Sequence, residues 1–121
     1  MKKIIFTEST PYPVGPYSQA VLVGDTLYCS GQIALDALDA DVPTQTELVC
    51  RQIAAVLAAA DMELTDVVKT TCFLADMADF ADFNGVYEKH FAHKPARSCV
   101  AAKQLPKGAL VEVEVLAVKS E

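Results

Sequence analysis

Leu110-Val111-Glu112-Val113-Glu114-Val115-Leu116-Ala117-Val118-Lys119 is the stretch on which the fold turns. Its two-residue period marks a strand. Val111, Val113, Val115 and Ala117 form one wholly apolar face, as expected of a sheet lying under helices. The other face carries Glu112 and Glu114 but also Leu110, Leu116 and Val118. That many large apolar residues do not suit a solvated face. This side is therefore expected to dock on a copy of the chain, with acid groups at one end.

Working back from this strand, Leu105-Pro106-Lys107-Gly108 is turn chemistry, and Arg97–Ala102 before it reads as another strand. Phe80, Phe83, Tyr87 and Phe91 make a helical stripe, with Asp79 placed to cap it. Asp66–Leu74 reads as a strand with Val68, Thr70, Cys72 and Leu74 on one face. A longer helix carries Val49, Ile53, Val56, Leu57 and Ala60 on one side. Pro43 precedes Thr44-Gln45-Thr46-Glu47, which has the form of a capping box. Nearer the start, Tyr17–Val23 and Thr26–Ser30 flank Gly24-Asp25, a two-residue hairpin signal. Pro11, Pro13 and Pro16 fix an extended loop, and Lys2–Phe6 reads as a short edge strand. The order is β-β-β-α-β-α-β-β. Right-handed crossovers then put both helices on one face of one mixed sheet, an α+β domain over residues 1–121.

Composition narrows the function. Apolar residues make up 52% of the chain and the mean hydropathy is +0.25, high for a small monomer. No apolar run approaches the ~20 residues of a membrane span. Met1-Lys2-Lys3-Ile4-Ile5-Phe6 meets polar residues too soon to be an export signal, so no membrane partner and a cytoplasmic location are expected. A net charge of −6 and scattered basic residues argue against a nucleic-acid partner. They leave room for a small anion at a local arginine. Cys29, Cys50, Cys72 and Cys99 have no tight spacing, so no disulfide or metal framework is expected. His90 and His93, one turn apart, read as exposed histidines near a helix end.

Six motifs stand out in order. They are Val14-Gly15-Pro16-Tyr17-Ser18-Gln19-Ala20, Ser30-Gly31-Gln32-Ile33, Val68-Lys69-Thr70-Thr71, Pro95-Ala96-Arg97-Ser98-Cys99-Val100, Leu105-Pro106-Lys107-Gly108 and Val111-Glu112-Val113-Glu114. Together they resemble the Rid family, the reactive intermediate deaminases, and within it the RidA branch, from about Lys2 to Val118. The resemblance implies a chorismate-mutase-like fold and a homotrimer with clefts between subunits. It also implies hydrolysis of 2-imino acids and their enamine tautomers, such as 2-aminoacrylate and 2-aminocrotonate, to 2-keto acids and ammonia, without a cofactor. In the same terms Arg97 clamps the substrate carboxylate and Glu112 activates water. Tyr17, Ser30, Gly31, Asn84 and Cys99 bind substrate, Cys99 through its backbone. The chain departs from the family pattern at Ala34–Val42, which is short, acidic and lacks the usual Pro and Gly turn. It departs again between Tyr87 and Pro95, a shortened segment with Lys94 where an aromatic or proline is common.

The residue types suit these roles. A planar guanidinium gives a carboxylate two parallel charge-assisted hydrogen bonds. One carboxylate can take a proton from attacking water and return it to the leaving nitrogen. Without the motifs, Arg97 reads as a strand-start residue paired with a surface acid, and Glu112 as ordinary polar-out alternation with Glu114 as its rival. Tyr17, Ser30 and Asn84 read as a loop anchor, a backbone-bonding hydroxyl and a helix-face amide. The same clamp would also serve a non-enzymatic keto-acid sensor or chaperone. RNA cleavage or inhibition of translation is the reading the acidic charge disfavours most.

Overall fold

The computed structural model describes residues 1–120. Six strands form: β1 (Lys2–Ile5), β2 (Ala20–Val23), β3 (Thr26–Cys29), β4 (Val67–Leu74), β5 (Ala96–Ala101) and β6 (Val111–Val118). Two helices, α1 (Val42–Ala59) and α2 (Phe80–His90), follow β3 and β4. All six strands join one sheet in the order β1-β2-β3-β6-β4-β5. Only β4 and β5 pair in parallel, as a β-α-β crossover through α2 requires. The α+β order read from the sequence is therefore the observed one.

β6 lies between β3 and β4, and its alternation organises the core. Val111, Val113, Val115 and Ala117 are buried in one cluster with Val49, Ile53, Val56 and Leu57 of α1 and Phe83 and Tyr87 of α2. Cys29, Cys50 and Cys72 sit in the same cluster, and burial pushes each thiol up to about 12. At neutral pH they are inert apolar groups. On the opposite face Ile4, Val21, Tyr28 and Leu116 stand side by side in register across β1, β2, β3 and β6. Ile4 is 69% exposed and Tyr28 51%, so a row of large apolar side chains faces outward.

Several expectations are corrected. Asp41 caps α1, its Oδ1 accepting from the Thr44 N–H at 3.0 Å, and the Thr44–Glu47 capping box does not form. A proline is tolerated in a first turn because the N–H it lacks would have no helical partner, so α1 begins ahead of Pro43. Thr46 instead donates to the Val42 carbonyl, and Glu47 pairs with Arg51 and His90. Asp79 makes no side-chain cap for α2; Asp76 caps the single turn before it, accepting from the Ala78 N–H. A register shift between Val67 and Lys69 puts Val67 in the core and leaves Val68 46% exposed. An extra residue in a strand inverts the alternation beyond it. β2 begins at Ala20, leaving Tyr17, Ser18 and Gln19 in the loop. His90 is half-buried against Glu47 at 2.8 Å, while His93 bonds the Val67 carbonyl at 2.9 Å. Among the described residues no helix is long and apolar enough to cross a membrane, and no cluster of metal-ligating side chains forms.

Candidate active site

Beyond β3 the chain runs on as a strap, Ser30-Gly31-Gln32-Ile33. After the Tyr28–Leu116 pair the next contact with β6 is Gln32–Val113, so the strap carries one residue more than the strand beside it. Gln32 and Val113 exchange backbone hydrogen bonds of 2.9 and 3.2 Å. The Ser30 hydroxyl donates to the Ser18 carbonyl at 2.6 Å, which ties the strap to the proline loop. Gln19, buried, holds that loop from inside. Its Oε1 accepts from the Thr7 N–H at 2.7 Å, and its Nε2 donates to the Thr10 hydroxyl at 2.8 Å. The loop so fixed sets Tyr12 and Tyr17 over a cleft of about 350 Å³ whose lining includes Ser30, Gly31, Ile33 and Glu112.

Glu112 lies against the strap. A Cβ built on Gly31 would stand 3.0 Å from its Cδ and 3.1 Å from its Cγ, so a side chain at position 31 would drive the carboxylate away. Burial, and then the neighbouring Glu114 carboxylate, push the Glu112 carboxyl above its ordinary value. Glu114 is the more exposed of the two.

Arg97 belongs to a second cluster. It pairs with Thr70 across β4 and β5, on the face that carries the helices. Its Nη1 donates to Asn84 Oδ1 of α2 at 2.7 Å. The guanidinium carbon lies 4.9 Å from the centre of the Tyr87 ring and 5.5 Å from that of Phe80, a cation–π cradle. Tyr87 is fixed in turn by a 2.7 Å hydrogen bond between its hydroxyl and that of Thr70. Among the described residues no carboxylate reaches within 4.0 Å of the arginine, so the surface ion pair of the plainer reading is absent. Cys99, two residues along β5 on the same face, is half-buried, and burial raises its thiol.

The chain thus gathers Tyr17, Ser30, Gly31 and Glu112 at one cleft, and Arg97, Asn84 and Cys99 at another place. It does not bring the two together. Arg97 and Glu112 lie on opposite faces of the sheet. Counting ~4.8 Å per strand and ~3.3 Å per residue, their Cα atoms are about 14 Å apart. Each departure from the family pattern borders one cluster. Leu35 lines the Glu112 cleft, and Glu88, Phe91 and Lys94 line a hollow beside Arg97. The sequence reading missed Gln19, Phe80, Tyr87 and Gln52 as builders of these sites. The legible signal for Gln52 was an amide within the apolar side of a helix.

Fold and site together define a class: one-sheet, chorismate-mutase-like α+β chains with an arginine on one sheet face and a glutamate on the other. The chain belongs to the Endoribonuclease L-PSP family, which its residues 7–119 match. It is similar to a RutC family protein of Pyrococcus horikoshii, 46% identical over 98% of this chain and 99% of that one. It is 40% identical to the 2-iminobutanoate/2-iminopropanoate deaminase of Escherichia coli K12, over 98% and 99% of the two chains. Among solved structures it resembles E. coli TdcF with bound serine, with a TM-score of 0.92, 38% identity and 98% and 99% coverage.

Proposed function

We propose that this protein hydrolyses 2-imino acids and their enamine tautomers to 2-keto acids and ammonia, in clefts assembled between the copies of a homotrimer. The observation that carries the reading is Arg97: a half-buried guanidinium, oriented by Asn84 and two rings, with no carboxylate partner among the described residues. Such a group binds an incoming carboxylate with little reorganisation. The E. coli relative named as an imine deaminase and the serine bound to TdcF support a substrate of amino-acid size and charge.

Glu112 supplies the chemistry in this reading. Its carboxylate accepts a proton from water as the oxygen adds to C2 of the protonated imine. It then returns that proton to the nitrogen of the carbinolamine. As the C–N bond breaks it takes the remaining hydroxyl proton, so that the 2-keto acid carbonyl forms and ammonia leaves; that last proton passes to ammonia as ammonium or to solvent. An enamine first takes a proton at C3. The sequence is acid–base throughout and calls for no cofactor. A carboxyl held above its ordinary value suits a group that must both take and give a proton. A 2-imino acid spans only about two bonds, ~3 Å, between carboxylate carbon and nitrogen. Arg97 and Glu112 of one chain project from opposite faces of the sheet and cannot both reach it, so a second copy must bring the missing half. The outward apolar row on β1, β2, β3 and β6 offers the surface for that association. The net charge of −6 favours this chemistry over RNA cleavage.

The test is a coupled assay in which a dehydratase generates 2-aminoacrylate or 2-aminocrotonate and keto acid release is timed. Release should quicken with this protein present. No acceleration, alongside tight binding of 2-oxobutyrate, would favour the keto-acid sensor instead.

A further inference from the structure

Gln52 projects from α1 to the floor of the Glu112 cleft and is 4% exposed. Its Nε2 donates to Gln32 Oε1 and to the Ile33 carbonyl, both at 3.0 Å. A backbone carbonyl only accepts, so the Ile33 contact fixes which way the amide points and leaves Oε1 as the free atom. That oxygen is buried and has no hydrogen-bond partner among the described residues. Gln45, earlier on α1, shows the contrast. Its Nε2 donates to the carbonyls of Leu38 and Ala40, and its Oε1 accepts from the Leu110 N–H. A buried carbonyl oxygen beside an open cleft calls for a donor, and water is the one always at hand.

We infer that Gln52 is a positioning residue for Glu112: through Gln32 and Ile33 it fixes the strap against which the carboxylate rests, and its free oxygen anchors a water at the cleft floor. The path is short and continuous. Gln52 grips Gln32 and Ile33, Gln32 is locked to Val113 by two backbone bonds, and Gly31 abuts Glu112, the residue before Val113. Without Gln52 the strap loses the two side-chain hydrogen bonds that tie it to α1. The Glu112 carboxylate then gains room and solvent, with Glu114 the other carboxylate facing it in the cleft. This inference rests on the deaminase reading for what Glu112 does, but not for where it sits.

The experiment uses Gln52→Met, which removes both donors, and Gln52→Glu, which keeps the shape but has at most one proton to give. Two measurements are made on each. The first is the titration of the Glu112 carboxyl carbon by NMR without substrate; the second compares kcat with 2-oxobutyrate affinity. The expected result is a Glu112 midpoint displaced by about half a pH unit or more. The kcat should fall roughly tenfold or more while affinity stays within about threefold, as when an outer-shell partner is lost. An unmoved Glu112 titration in both variants overturns the inference. So does a parallel loss of kcat and affinity, which would mean general damage to the site. If the wild type turns nothing over, the deaminase reading fails, and the NMR titration still decides the role of Gln52.

Discussion

Arg97 and Glu112 can be separated by experiment because the proposed function gives each one job. If Arg97 holds a carboxylate with its fork, Arg97→Lys should fail nearly as badly as Arg97→Ala, since an ammonium keeps the charge and loses the geometry. The loss should be on the order of 2–5 kcal/mol of 2-oxobutyrate binding, read by calorimetry, with thermal melts controlling for lost packing on Tyr87 and Phe80. Equal binding by all three proteins would remove the clamp. Glu112 should behave differently: Glu112→Gln lowers kcat and leaves keto-acid binding nearly intact. Its raised carboxyl also sets a pH dependence. The folded chain keeps a proton that the unfolded chain has released, so stability falls as pH rises from about 4.3 through the folded value. Glu112→Gln should therefore melt above wild type beyond that window and level with it below. An advantage that instead appears only at acid pH would contradict the assignment of this buried charge. These residue types were legible in the sequence. The face Arg97 occupies was not: Ala96–Ala101 alternates among small and mixed side chains, and only pairing with β4 decides which way it points.

The elements carry the site by packing rather than by their own propensity. α2 holds Asn84 and both cradle rings, and it is fastened to the core by Phe83, which is fully buried. Phe83→Ala should cost about 3–5 kcal/mol, measured by denaturant melts, and should lower 2-oxobutyrate affinity along with it. A destabilised variant that still bound normally would show that the cradle does not depend on α2. Element type was readable because the apolar periods of α1, α2 and β6 are long and regular. The boundaries were less so. Val67 and Val68 are both valines, so a bulge that exchanges their faces leaves no trace in the hydrophobic pattern. Asp41, Thr44 and Asp79 are all residues that can cap, and only the position of the turn selects among them.

At the scale of the whole molecule the decisive fact is that one sheet separates Arg97 from Glu112. If Arg97 and Glu112 serve one substrate, as proposed, a chain so built cannot complete its own cleft, and it would lend Arg97 to one neighbour and Glu112 to another. The outward face of β6 hinted at association, but the sequence could not say that Arg97 and Glu112 fall on opposite faces, since both motifs read as parts of one constellation. The division makes a strong prediction. Arg97→Ala and Glu112→Gln proteins should each be inactive alone. When unfolded together in equal amounts and refolded, they should form mixed trimers in which some clefts receive an intact Arg97 from one chain and an intact Glu112 from the next. Random assortment in a ring of heterologous contacts makes about one cleft in four intact, so about a quarter of wild-type activity should return. Native mass spectrometry must show that mixed trimers are present, and the assay is the keto-acid release described above. Mixed trimers with no more activity than the two parents would mean that Arg97 and Glu112 act within one chain or do not act together. A chain that stays monomeric at micromolar concentration would remove the shared cleft altogether, because neither half could then meet its complement.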